Sequence, residues 1–162
     1  MSKARFHERG MVVTVMAVGI LLGGMVGVVF AATSGVVYKF TQTGESYGTT
    51  MICNEAQINI SGGTATNVGI VRARTTTGCA NAKSLRAGYL GVSIYGFRNG
   101  SVCGGIGPRY TSSATSAMTV AGSICSNPSG SQYFRTQMLG FLYRPSTGQY
   151  RSAEQYSPNQ SG

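Results

Sequence analysis

The 162-residue chain has no aspartate and no tryptophan, and its one histidine is His7. Charged residues make up only 10% of it. Each shortage excludes chemistry. Without an imidazole beyond His7, a Ser-His-Asp or Cys-His nucleophile has nothing to move its proton. Most zinc sites use histidine or several free thiolates, and calcium asks for clustered carboxylates. The carboxylates here are Glu8, Glu45, Glu55 and Glu154, far apart in sequence. A glycosidase needs two carboxylates across one sugar ring. Only Glu45 and Glu55 are near enough in the chain to consider, and a plain surface role suits them better. The composition predicts no enzyme, no cofactor and no metal.

What is present first is an apolar run from Met11 to Ala32, interrupted by one polar side chain, Thr14. Its 22 residues, at about 1.5 Å each, reach about 33 Å, enough to span a bilayer core of about 30 Å. Lys3, Arg5 and Arg9 precede it, with Glu8 as the one opposing charge. That is the positive flank of an export signal. Val29-Phe30-Ala31 offers a small-residue exit for cleavage after Ala31, whereas cutting after Ala32 would put bulky Phe30 in a pocket that wants a small side chain. Residues 1–31 are expected to form a signal helix and residues 32–162 a single secreted domain. The competing reading is a retained transmembrane anchor, because Gly19, Gly23 and Gly27 make two overlapping GxxxG spacings. The absence of a basic stop-transfer cluster favours cleavage. Contact with the membrane follows only if residues 11–32 are retained.

Residues 32–162 hold ten Lys and Arg, eight of them arginine, against three Glu, a net charge of +7, together with all nine tyrosines. The four cysteines are Cys53, Cys79, Cys103 and Cys125. An even number at wide spacing in an exported chain predicts two disulfides, and the absence of CxxC argues against redox and zinc roles. Three pairings are open. Cys53 with Cys79 and Cys103 with Cys125 is preferred, because each pair closes a local loop. Such a loop is worth about 3 kcal/mol in the chain-entropy account. A thin, glycine-rich core needs that help.

Beyond residue 35 the pattern is alternation with β-branched and aromatic residues, not helical period. Val36, Tyr38 and Phe40 alternate with Val37, Lys39 and Thr41. Ile58 and Ile60 end at Gly62-Gly63. Val68, Ile70, Arg72 and Arg74 oppose Gly69, Val71 and Ala73. Leu90, Val92 and Ile94 back onto Tyr89, Ser93, Tyr95 and Phe97. Met118, Val120 and Ile124 continue the pattern, and Tyr133 to Arg144 is the longest candidate strand. Seven or eight short strands, punctuated at Asn99-Gly100, Asn127 to Gly130 and Pro145 to Gly148, predict an all-β fold: a small antiparallel β-sandwich or barrel. Asn-Gly between strand residues is the strongest hairpin signal, since both turn residues need positive φ. That turn predicts Arg98 facing Ser101, Phe97 facing Val102, Gly96 facing Cys103, Ile94 facing Gly105 and Val92 facing Gly107. Glycine there also fits a bulge. Residues 156–162 are expected to be a short final extension.

The stretch GYLGVSIYGFRNGSVCGG, followed by YTSSATSAMTV, a cysteine, SGSQYFRTQ and a Tyr-Ser-Pro-Asn close, resembles small exported actinobacterial β-rich proteins of unsettled function. The resemblance covers roughly residues 85–162 and implies a Cys103–Cys125 bridge; Cys53 and Cys79 lie outside it. In size and export route the chain is also similar to the small linking subunit of actinobacterial umbrella-shaped secreted toxin particles, which joins a lectin-bearing subunit to a long stalk subunit. That likeness implies an adaptor in an extracellular assembly. Neither resemblance brings catalytic residues.

Tyrosine and arginine are the residues of interface hot spots. Tyr89, Tyr95 and Phe97 share one strand face next to Arg98, and Tyr133 and Arg135 alternate with Phe134; these six residues are the candidate binding surface. The leading expectation is a non-enzymatic binding protein whose partner is another protein in an extracellular complex. A cationic domain also suits an anionic cell-wall polymer such as teichoic acid, or anionic lipid, but the arginines are spread along the chain. Carbohydrate binding by stacked tyrosines is weakened by the lack of tryptophan. A secreted inhibitor or antimicrobial protein is a further alternative. Nucleic acid is not expected, because no recognition motif is present.

Overall fold

A computed structural model describes residues 32–61, 63–126 and 131–162. The expected signal helix lies outside these residues. Among the described residues no helix is long and apolar enough to cross a membrane. The described residues are all-β, with ten strands: β1 (Ala32–Thr33), β2 (Val37–Gln42), β3 (Thr50–Ser61), β4 (Thr64–Arg74), β5 (Leu90–Arg98), β6 (Ser101–Tyr110), β7 (Ala117–Ser126), β8 (Tyr133–Arg144), β9 (Gln149–Tyr156) and β10 (Gln160–Ser161). A short 3-10 turn, Thr77–Cys79, lies between β4 and β5.

The strands form two five-stranded sheets. The first runs β1-β3-β4-β7, with β2 also paired to β3; the second runs β10-β8-β5-β6, with β9 also paired to β8. Every pairing is antiparallel. The period of two explains the faces. In β4, Ala65, Asn67, Gly69, Val71 and Ala73 are buried, and Val68, Ile70, Arg72 and Arg74 face away. In β5, Leu90, Val92 and Ile94 are fully buried; in β8, Phe134, Met138 and Leu142 are. Burying each of these larger apolar side chains contributes about 1.5–3 kcal/mol.

The inner faces pack β3, β4 and β7 against β8, β5 and β6. Glycine makes the close approach possible. A Cβ on Gly69 would lie 2.5 Å from Ile94 Cγ2, one on Gly122 would lie 2.5 Å from Ile106 Cδ1, and one on Gly140 would meet Asn54 Oδ1. Large side chains of one sheet therefore seat on glycines of the other. Two buried asparagines cross the gap: Asn54 Nδ2 donates to the Ala153 carbonyl at 2.8 Å, and Asn67 Nδ2 donates to Thr136 Oγ1 at 2.8 Å. A buried amide without such a partner would cost about 1–3 kcal/mol.

Both disulfides take the local pairing. Cys103–Cys125 joins β6 of the second sheet to β7 of the first, and Cys53–Cys79 pins the Thr77–Cys79 turn against β3. Such bonds belong to an oxidising environment. The Asn99-Gly100 turn has φ of 49° and 83°, as a two-residue hairpin turn requires.

Three local expectations are corrected, and one strand is added. The hairpin register holds for Arg98–Ser101 and Phe97–Val102, then shifts, so Gly96 faces Gly104 instead of Cys103, Ile94 faces Ile106, and Val92 faces Arg109. One bulge frees Cys103 for the inter-sheet bridge, and a second lies beside Pro108, which cannot donate to the ladder. In β2 a register shift between Tyr38 and Phe40 puts Phe40 in the core and leaves Tyr38 about half exposed, at 49%. Residues 149–156, too polar to stand out as a strand, form β9. The final extension is in part a strand, because Gln160 and Ser161 pair with Phe134 and Tyr133.

Candidate functional site

Strand alternation collects aromatic rings on the outer face of the second sheet. β5 presents Tyr95 and Phe97 there, with Tyr89 just ahead of the strand. β8 presents Tyr133, Phe141 and Tyr143, β9 presents Tyr150 and Tyr156, and β6 ends in Tyr110. Nine of the thirteen aromatic residues of the described chain stand on this face. Register sets their rows. Tyr143 pairs with Tyr150 on one side, and its N–H donates to the Tyr89 carbonyl on the other. Gly91 lies between Tyr110 and Phe141, and Tyr95 lies between Gly105 and Gln137.

Those two glycines let the rings lie down. A Cβ on Gly91 would stand 2.5 Å from Tyr110 Cδ1, and one on Gly105 would stand 2.5 Å from Tyr95 Cδ1. A flat ring over a strand glycine recovers the apolar contact that the glycine lacks. The rings then touch in series. Centroid distances are 5.7 Å for Tyr47–Tyr89, 5.4 Å for Tyr89–Tyr143, 5.2 Å for Tyr143–Tyr150 and 4.7 Å for Tyr150–Tyr110. Phe141 stands 6.3 Å from Tyr110 and 6.4 Å from Tyr150. Each such contact is worth about 0.5–1.5 kcal/mol beyond its area.

The phenols are held as neutral donors. Tyr47 gives its hydroxyl proton to the Tyr143 carbonyl at 3.0 Å, and burial, with Glu45 nearby, pushes its pKa up to about 12. Tyr150 donates to the Gly88 carbonyl at 2.6 Å; burial, then the neighbouring Tyr110 and Tyr143, raise it too. Glu45 anchors this end. Ser146 donates to it through Oγ at 2.6 Å and through N at 3.0 Å, and Arg144 stands 3.6 Å away. A cleft of about 260 Å³, lined by Ser46, Tyr47, Ser84, Leu85, Arg86 and Tyr89, opens beside the series.

The other end is organised by Arg135. Its guanidinium carbon lies 5.1 Å from the Phe97 ring centre and 4.7 Å from that of Tyr156. Its buried Nε has no hydrogen-bond partner among the described residues. Gln137 Nε2 donates to Glu154 Oε2 at 2.8 Å and to the Tyr156 hydroxyl at 2.7 Å, which turns Tyr156 toward the arginine.

Of the six residues predicted for the surface, Tyr95, Phe97 and Arg135 come together on this face. Tyr133 stands at the same end beside the hairpin turn, where Asn99 N–H donates to its carbonyl and its own N–H donates to Asn99 Oδ1. Tyr89 shares the face but belongs to the opposite end. Arg98 is exposed and occupies the alternate position to Phe97 on β5, so it is not part of the ring group. Sequence reasoning missed Tyr47, Tyr110, Phe141, Tyr143, Tyr150 and Tyr156. Phe141 and Tyr143 were readable, since they share the parity of Tyr133 and Arg135. Tyr110 was not, because the bulges of β6 hide its register.

Chemically this face can stack and donate hydrogen bonds. Among the described residues no group of three or more His, Cys, Asp or Glu could hold a metal ion. No known protein family, no curated protein and no solved structure matches the chain.

Proposed function

We propose that the chain is a secreted, non-enzymatic binding protein, and that its domain is a β-sandwich that captures a partner on the outer face of the second sheet. Residues 1–31 then act as a cleaved export signal. The partner is another protein in an extracellular assembly, with this chain as the adaptor. The observation that carries this reading is the connected series of rings, in which Tyr110 and Tyr150 remain 41% and 38% exposed, with Tyr133 41% exposed at the other end of the same face. Large apolar side chains left open on one face mark an interaction site. Tyrosine supplies area and a polar tip at small entropic cost, and Arg135 supplies a planar donor.

Adhesion to a polyanion is the second reading, and the net charge of +7 favours it. Its cations are dispersed, however, and several are engaged. Arg72 pairs with Glu55 at 2.5 Å, Arg74 donates to the carbonyls of Cys79 and Ala73, and Arg151 lies over Phe40. The test is purification of the tagged protein from culture supernatant with mass spectrometry of what accompanies it. A specific companion lost in Tyr110→Ser with Tyr150→Ser, and in Arg135→Gln, but kept in Arg98→Gln, supports the reading. A companion retained by all of these, or release by salt alone, refutes it.

A further inference from the structure

Three sheet edges are blunted. β6 has two register shifts, Pro108 and Arg109. β2 carries a shift at Lys39, and Arg151 donates to its Thr41 carbonyl at 3.3 Å. β9 bears Arg151 and Glu154 and stops before Pro158. These are the usual protections of an open edge. β7 has one register shift, at Ile124 near its end, but its Ala117–Gly122 stretch has none of these protections. Its ten residues, AMTVAGSICS, hold no charge and no proline, and it ends the first sheet.

The phase of its backbone is known. Ala73 N–H donates to the Ser116 carbonyl at 2.9 Å. Residues of that parity, Met118 and Val120, therefore face β4 with both backbone groups, and Thr119 and Ala121 face outward. Ala117 also faces outward, but Thr115 Oγ1 closes it, donating to its carbonyl at 3.1 Å and accepting from its N–H at 3.3 Å. The N–H and C=O of Thr119 and Ala121 have no partner among the described residues, and both residues are exposed.

We infer that the Thr119–Ala121 edge of β7 receives an extended strand from a partner polypeptide. β7 packs against both β5 and β6, and β6 is the edge strand of the second sheet. A strand added to β7 lies under β6, where a Cβ on Gly107 would meet nothing within 4 Å and one on Gly104 would meet only Ile124 Cγ2, at 3.4 Å. A second copy brought edge to edge would carry its own β6 into the same space. Main-chain hydrogen bonds supply the affinity of such an addition, and alternate side chains supply its specificity. The fitting segment has apolar residues at alternate positions, to meet Ile106 and Ile124 under β6, and acidic residues between them, to meet a domain of net charge +7. This edge belongs to the first sheet and does not depend on the aromatic face.

The test uses the full chain, expressed in an exporting host and labelled with ¹⁵N. The probe is an eleven-residue peptide of the β4 sequence TATNVGIVRAR with both arginines exchanged for glutamate, because β4 is already a matched antiparallel partner of β7. Saturable shifts and slowed amide exchange at Thr119 and Ala121 are expected. The same peptide N-methylated along its bonding edge should bind about tenfold more weakly or worse, since it loses the main-chain hydrogen bonds to Thr119 and Ala121. Ala121→Pro, which removes one outward N–H on an edge that tolerates it, should weaken the peptide similarly while melting like the parent. The inference is overturned if no saturable change reaches Thr119 and Ala121 by about 1 mM. Equal binding of the N-methylated peptide, or shifts gathered on Tyr110 and Tyr150, also overturns it. Protection that rises with protein concentration alone would assign the edge to a second copy and overturn it as well.

Discussion

Gly91→Ala should dismantle the aromatic face from beneath while barely touching stability, whereas Gly69→Ala should do the reverse. At position 69 the new methyl group meets Ile94 Cγ2 at 2.5 Å, Met138 Cβ at 2.8 Å and Val92 Cγ1 at 3.2 Å. All three neighbours are fully buried. Overpacking of such a site costs about 1–3 kcal/mol, and restricting the unfolded chain returns about 0.4–1 kcal/mol. Three close contacts put the cost at the upper end of that range, leaving a net loss of about 2 kcal/mol, which moves a urea midpoint by about 1 M at an m-value near 2 kcal/mol/M. At position 91 the methyl group meets Tyr110 Cδ1 at 2.5 Å and Cε1 at 2.7 Å, and the Arg109 carbonyl oxygen at 3.0 Å, a contact relieved by a small shift of the edge strand β6. That ring is 41% exposed and can swing out. The loss is then its contact with Tyr150, about 0.5–1.5 kcal/mol, and the same entropic return cancels most of it. Urea titration and near-ultraviolet circular dichroism separate the two variants. Gly91→Ala should keep its midpoint within about 0.5 M and lose tyrosine dichroism, and Gly69→Ala should shift its midpoint and keep its dichroism before unfolding. Equal destabilisation by both, or unchanged dichroism in Gly91→Ala, would refute the account of why glycine and tyrosine face each other here.

Removing the inter-sheet bridge with Cys103→Ser and Cys125→Ser should cost about 3 kcal/mol for a loop of 22 residues, measured against the reduced and oxidised parent by urea titration. Tyr47 is raised from 10.0 to about 12, so its contribution is complete below pH 10 and is lost as pH climbs toward 12. Tyr47→Phe should flatten that alkaline limb, and absorbance at 295 nm should show one late-ionising phenol fewer. Glu45 is held below 4.5, first by the Ser146 hydroxyl, against an opposing push from burial, with the Ser146 N–H and Arg144 adding to the lowering. Its contribution is present above pH 4.5 and lost as pH falls through the folded value; Glu45→Gln should flatten the acid limb of stability.

The strand faces at 68–74, 90–97 and 133–144 were legible because alternation is a local property with a period of two. The Asn99-Gly100 turn was legible because few residue pairs accept its backbone angles. The site was legible only in part. Tyr95, Phe97 and Arg135 lie on neighbouring strands of simple register, so parity finds them. Tyr110 and Tyr150 come from the two flanks of the sheet, and nothing local to either residue says they meet.

By itself the sequence determined the class of this protein. Its cysteine number and spacing, its period-two runs, and its lack of Asp and of any His beyond His7 point to a disulfide-braced β domain without the usual catalytic groups, because each of these depends on residues counted or spaced along the chain. Only the tertiary structure decided which surfaces matter. Bulges at Cys103 and beside Pro108 shift a register, glycines at 91 and 105 let rings lie flat, and the strand order leaves Thr119 and Ala121 at an edge. All three depend on which strands become neighbours, and that is set by packing two sheets together.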